Sequence, residues 1–220
     1  MSGEVNHPLF ARFAERVAAG EGDEEQDRRR EVLAGLRGRV IEIGSGSGPN
    51  FRLYPDTVTE LVAVEPEDYL RAKAAEAAGR AALRVRVVDA LADELPFEDA
   101  SFDAAVAALV LCSVPSQAAA LAELRRVVEP GGELRFFEHV LARTARLSTL
   151  STLQRAAAPV TQRLAGGCRP DHDTARAIEA AGFRIEPLPA IRTAQRAGRP
   201  GGAARHRDGG AAVANSLRTA

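Results

Sequence analysis

The stretch Arg39-Val40-Ile41-Glu42-Ile43 runs without a break into Gly44-Ser45-Gly46-Ser47-Gly48. Three apolar, β-branched residues in five positions, Val40, Ile41 and Ile43, read as a buried strand. Glycines at alternate positions then let the backbone turn sharply and leave it open to close approach by a ligand. Pro49 follows, a residue suited to the first turn of a helix. A strand that becomes a helix through glycines is the opening unit of an α/β fold, so the rest of the chain is expected to alternate strand and helix.

It does so. Further strands are expected at 60–64, 83–88, 102–110, 133–139 and 183–188. The run from Phe102 is apolar almost throughout, as in a central strand covered on both faces. Helices are expected at Pro8–Ala19, from the charged stretch Glu21–Glu31 to near Leu36, at Asn50–Tyr54, Asp68–Ala78, Ser116–Val128, around Arg155, and at Thr174–Ala181. Pro130-Gly131-Gly132 reads as a turn. The fold class is therefore α/β: a Rossmann-like, doubly wound, mostly parallel sheet in a single domain. Residues 1–37 form an N-terminal helical cap and 38–191 the main domain. From Arg192 the chain carries six arginines against one aspartate, with clustered glycine and alanine. No strand or helix pattern emerges there, and 192–220 is expected to be a disordered or atypical tail.

Composition narrows the function classes. A formal net charge of -1 over 220 residues gives no basic excess for nucleic-acid binding. Lys73 is the sole lysine and arginine is abundant, a compositional bias that lowers the weight of any arginine cluster. Cys112 and Cys168 make neither a CxxC pair nor a disulfide framework, as expected in a reducing compartment. No apolar run approaches the roughly 18 residues that span a bilayer. Met1 to Phe13 lacks a signal-peptide pattern, because His7, Pro8 and Arg12 interrupt it. A cytoplasmic protein with a small-molecule substrate, no nucleic-acid partner and no membrane contact is the expectation.

The glycine loop fits several cofactors and, alone, is equally a strand-to-helix turn. Its GxGxG spacing puts Pro49 where the dinucleotide fingerprint places its third glycine. Glu65, followed by Pro66, ends the second strand, where a carboxylate accepts hydrogen bonds from both ribose hydroxyls of a nucleoside. Asp89-Ala90 ends the third strand, where a carboxylate can accept from an adenine amino group.

Glu42 to Gly48, Glu65, Asp89-Ala90, Leu95-Pro96-Phe97, Ser101-Phe102-Asp103 and Pro130-Gly131-Gly132 together resemble the class I S-adenosylmethionine-dependent methyltransferases, and within them the type 11 group. A narrower set is similar to the methyltransferase-like proteins that methylate alkyl thiols. It comprises Gly48-Pro49-Asn50-Phe51 with Tyr54-Pro55, Leu109 to Val114, Phe136 to Val140, and Gly167-Cys168. The resemblance implies S-adenosyl-L-methionine as cofactor. Gly44, Ser45, Gly46 and Gly48 would lie against its methionyl part, with Glu42 reaching the ammonium. Glu65 and Pro66 would hold the ribose, Asp89 and Ala90 the adenine, and Leu109 to Cys112 would floor the sulfonium. A small acceptor such as a thiol follows, with His139 as the candidate catalytic residue at the end of the fifth strand. The resemblance also implies a closing antiparallel seventh strand, which the tail is not expected to supply.

Other readings compete. An NAD-dependent oxidoreductase shares the acidic residue after the second strand, and a non-catalytic cofactor-binding protein shares the whole site. Asp171-His172-Asp173 could ligate a metal, or could be a helix start with Asp173 as N-cap. Cys112 and Cys168 read as inert packing residues. Phe10, Phe13, Phe51 and Tyr54 either wall an acceptor pocket or belong to the core.

Overall fold

A computed structural model describes residues 8–20, 22–139, 174–187 and 212–218. Strand β1 (Gly38–Ile43) is an interior strand, third from one edge of a seven-stranded sheet. Its side chains alternate between two separate cores, which is what a period of two requires of a strand covered on both faces. Ile41 and Ile43 join Val62, Val64, Ala105, Ala107 and Phe136 on one face. Val40 joins Leu61, Ala63, Ala104 and Val106 on the other.

The first face is closed by α4 (Gln117–Val127), through the fully buried Leu121, Leu124 and Val127. Ser116 caps that helix by accepting from the Ala119 backbone N–H at 3.2 Å. The second face is closed by α2 (Asp23–Leu33) and α3 (Asp68–Ala78), through Leu33 and Ala74, together with Leu36 beyond α2. Before them comes α1 (Pro8–Ala19), which contacts α3.

The remaining strands are β2 (Val58–Val64), β3 (Val85–Val88), β4 (Phe102–Ala108) and β5 (Val128–His139). After α5 (Thr174–Ala180) come β6 (Arg184–Pro187) and β7 (Ala212–Arg218). The order across the sheet is β3-β2-β1-β4-β5-β7-β6. The first five strands run parallel and β7 runs antiparallel to both β5 and β6. The chain works outward from β1 to β3 and then restarts at β4, so the crevice between the carboxyl ends of β1 and β4 is the topological switch point.

Four sequence expectations are corrected. The tail does supply a strand: Ala212–Arg218 pairs with Glu133–His139 and with Arg184–Pro187. Its residues, Ala212-Val213-Ala214-Asn215-Ser216-Leu217-Arg218, have no regular apolar alternation, so it showed no strand pattern; two waiting strand edges select it through backbone hydrogen bonds. Pro130-Gly131-Gly132 is no free turn but lies inside β5, at the register shift between Phe102 and Ala104. A β-carbon on Gly132 would sit 2.7 Å from the Asp103 carbonyl, so only glycine lets the two backbones pass. Strand β4 stops at Ala108 because Leu109 turns left-handed, at φ 58°. The helix expected over Asn50–Tyr54 is a single 3-10 turn, Phe51–Leu53.

Candidate functional site

The glycine loop crosses the carboxyl ends of β1, β2 and β4. Ser45 N–H donates to the Val64 carbonyl at 3.1 Å, which ties the loop to the end of β2. Gly44 has φ 59°, and a β-carbon there would fall 2.1 Å from Val110 Cγ2 just beyond β4. Glycine is thus required at 44 both by conformation and by space. Gly46 also has positive φ, but a β-carbon there would meet nothing within 4 Å. Gly48 lies against the Phe51 ring. The loop therefore has one side sealed by Val110 and Phe51, and is open at Gly46. Ser45 is 2% exposed and its Oγ has no hydrogen-bond partner, a buried polar atom left for a ligand to satisfy.

Two buried carboxylates flank this loop. Glu65, 5% exposed, accepts from Gly46 N–H at 2.8 Å with Oε2 and from Glu67 N–H at 3.0 Å with Oε1. Burial raises its pKa, opposed by those two backbone bonds. Glu42, 1% exposed, accepts from Asn50 Nδ2 at 2.6 Å and from the Tyr54 hydroxyl at 2.8 Å. Burial pushes its pKa from 4.5 up to about 7, against these two bonds and the charge of Arg29, and with a contribution from Glu65. The Tyr54 hydroxyl is held well above its ordinary value by its own burial and then by Glu42. Each carboxylate oxygen retains a lone pair, so both groups can accept further hydrogen bonds. A pair of buried carboxylates beside an open backbone fits a cationic, hydroxyl-bearing ligand. It disfavours a pyrophosphate, which would bring more negative charge to the same place.

Sequence reasoning missed Arg71. On the first turn of α3, it donates to the Pro66 carbonyl at 2.8 Å and the Glu65 carbonyl at 3.2 Å, and pairs with Asp68. It also reaches Asp89 Oδ1 at 3.3 Å, so it joins the ends of β2 and β3. The side chain of Asp89 is otherwise well exposed, at 66%. Ala90 packs against the core on the α4 side. Glu67 caps α3 through Leu70 N–H at 2.7 Å. The spacing Glu67-x-x-Leu70-Arg71 at a helix start carried the signal, but a cation at that place is equally an ordinary surface residue.

Leu109 is held in its left-handed conformation by its N–H, which donates to the Phe137 carbonyl at 2.7 Å. The turn that follows buries Leu111 and Cys112. Gln117 Nε2 fastens it, donating to the Leu111 carbonyl at 3.0 Å and to Thr174 Oγ1 at 3.1 Å. His139 ends β5 with its backbone opposite Ala212 of β7. Gly167-Cys168, Asp171-His172-Asp173 and the Arg155 helix lie outside the described residues. Among the described residues no cluster of three potential metal ligands occurs. Phe13 is 62% exposed and outside the core, whereas Phe51 is core and Tyr54 serves Glu42.

Two of the sequence motifs act away from the loop. Asp103 Oδ2 accepts from Arg39 N–H at 2.6 Å, which joins the starts of β1 and β4 at the opposite end of the sheet. Leu95 and Phe97 are pinned to α4 by Arg126, which donates to their carbonyls at 3.0 and 2.7 Å.

Comparison with known proteins agrees with this geometry. Residues 41–136 match the methyltransferase domain family. The chain is 31% identical to human thiol S-methyltransferase TMT1A over 188 residues, 79% of this chain and 75% of the relative. It is 34% identical to rat thiol S-methyltransferase TMT1B over 149 residues, 66% of this chain but only 59% of the relative's length. In fold it is similar to an S-adenosylmethionine-dependent methyltransferase from Mesorhizobium loti, with TM-score 0.56 and 18% identity over 77% of this chain and 84% of that one. With the glycine loop, its two flanking carboxylates and these matches together, the chain belongs to the S-adenosyl-L-methionine-dependent methyltransferase family.

Proposed function

We propose that the protein transfers a methyl group from S-adenosyl-L-methionine to a small-molecule thiol. The observation that carries the methyltransferase half is the tie between Glu65 and Gly46 N–H at the switch point, which fixes a nucleoside-holding carboxylate against the open face of the loop. The thiol half is supported by the likeness to the thiol S-methyltransferases over three quarters of the human relative.

In this reading Glu65 and Pro66 hold the ribose, while Asp89, with Arg71 behind it, and Ala90 meet the adenine. Gly44, Ser45, Gly46 and Gly48 bed the methionyl part, and Glu42 takes its ammonium. Leu109 and the turn after it floor the reacting end. When bound, the cofactor would supply an activated methyl: the thiolate sulfur would bond to the methyl carbon as the methyl–sulfonium bond breaks, giving a methyl thioether and releasing the neutral sulfide of the spent cofactor. The protein's part is alignment and exclusion of water. A thiol has a pKa near 8.5, so some thiolate exists at neutral pH without a strong base. His139 is the candidate base for the remainder.

A radiolabelled methyl-transfer assay over alkyl thiols, phenols and amines tests both halves. Thiol turnover is expected. Turnover of phenols alone would replace the acceptor and leave the methyltransferase reading intact. Calorimetric binding of NAD but not of S-adenosylmethionine would overturn that reading.

A further inference from the structure

The charged stretch before β1 looks, in sequence, like a solvated helix face. One of its arginines is not solvated: Arg29 of α2 is 6% exposed. It donates from Nη1 to Asn50 Oδ1 at 3.0 Å. Asn50, itself 2% exposed, donates from Nδ2 to Glu42. An asparagine amide can face either way, and the two faces are opposite in kind: one accepts, the other donates. A guanidinium only donates, so it can be met only by the amide oxygen. With Arg29 on the oxygen, the nitrogen must face Glu42. Turned the other way, the amide would set an acceptor against a carboxylate.

We propose that Arg29 is a positioning residue for the cofactor site: it orients the Asn50 amide so that the Glu42 carboxyl is held with free lone pairs toward a cationic ligand. The proposal rests on the methyltransferase reading, in which that ligand is the ammonium of S-adenosylmethionine. It makes the N-terminal helix α2 part of the site although Arg29 stands 21 residues from Asn50. Sequence gives no sign of this, since Arg28, Arg29 and Arg30 are alike in the chain and only packing selects the middle one.

The charged and titratable groups that face Glu42 are Arg29 from α2, Tyr54 after the 3-10 turn, and Glu65 at the end of β2. Arg29 is the cation of this set, so its loss should leave Glu42 with more of its proton at neutral pH. The guanidinium's hydrogen bond and its charge act in the same direction. A lysine would keep the charge and could still donate to Asn50 Oδ1.

The test uses the full chain as wild type, Arg29→Met, Arg29→Lys and Asn50→Ser. Carbon-detected NMR first follows the Glu42 carboxyl through pH without cofactor. Glu42 in Arg29→Met and in Asn50→Ser should release its proton at higher pH than in wild type, and in Arg29→Lys close to it. Calorimetry then gives S-adenosylmethionine affinity. Arg29→Met should bind about tenfold more weakly at pH 7, with the deficit shrinking at pH 9 as Glu42 regains its charge, and Arg29→Lys should stay within about threefold. Wild-type affinity in Arg29→Met, or a deficit equal at both pH values and shared by the lysine variant, overturns the proposal while leaving the cofactor reading in place. If Arg29→Met does not fold, an unmoved Glu42 titration in Asn50→Ser overturns it instead. Absence of S-adenosylmethionine binding in wild type overturns the cofactor reading, and the proposal with it.

Discussion

Glu42 is the residue where sequence and structure say the most different things. In the chain it is one polar letter inside a strand, given a part at the ammonium only by the family resemblance; in the fold it is a carboxyl buried at the hub of a network with Asn50, Tyr54 and, through Asn50, Arg29. Its pKa rises from 4.5 to about 7 on folding, chiefly through burial. The native state therefore holds a proton that the unfolded chain gives up between those values. The sign is that stability is greatest below about pH 4.5, falls as pH rises through 7, and is level above. The fall is on the order of 3 kcal/mol. Glu42→Gln removes it: denaturant unfolding at pH 5 and pH 8 should show a variant that gains on wild type by about that amount across the interval. A parallel pair of curves would show that Glu42 titrates normally. At Gly44 the constraint is steric. Gly44→Ala combines a left-handed alanine with a β-carbon 2.1 Å from Val110. It should destabilise by about 2–4 kcal/mol, and Val110→Ala in the same chain should restore part of the loss. Full stability of Gly44→Ala alone would mean the loop is not packed as described.

Among the elements, β7 is the one that sequence reading left out. A tail rich in arginine, glycine and alanine gives no burial signal, and deletion beyond about Ala194 is expected from the sequence to leave cofactor binding within a few-fold. The structure places a strand of that tail in the sheet. Ala212–Arg218 fills the slot between β5 and β6 and satisfies the backbone of both. Ending the chain after residue 211 would leave the His139 end of β5 with an open edge, and would detach β6 from the sheet. A loss of several kcal/mol follows, seen as a melting temperature lower by about 10 °C or more. An unchanged melting temperature would show that β5 closes the sheet by itself. The opposite lesson comes from β1. Its β-branched Val40, Ile41 and Ile43 and the glycines behind them were legible at once, because a strand buried on both faces leaves few alternatives.

For the whole molecule, the two buried carboxylates make a prediction about ligand charge. A ligand bound only by the folded state stabilises it by about 2.7 kcal/mol at a hundred times its Kd. S-adenosylmethionine should therefore raise the melting temperature, and at equal concentration should do so more than S-adenosylhomocysteine, which lacks the sulfonium charge that the negative field of the site would favour. Equal shifts would remove electrostatics from the discrimination. Among the described residues no helix is long and apolar enough to cross a membrane.

Fold class, strand positions and the acidic residues at the strand ends were set by local chemistry: β-branched runs, glycine spacing and helix starts read the same in any context. Roles that depend on a partner far along the chain were not. Arg29 meets Asn50, Arg71 meets Asp89, and Ala212–Arg218 meets His139 back to Glu133 only once the sheet has assembled. Sequence alone determined an alternating α/β chain that opens on a strand and a glycine loop, with acidic residues at the strand ends. Only the tertiary structure decided which of three adjacent arginines is buried and which way an amide faces. It also decided that a tail without hydrophobic pattern completes the sheet, because hydrogen bonds to an open strand edge need no particular side chain.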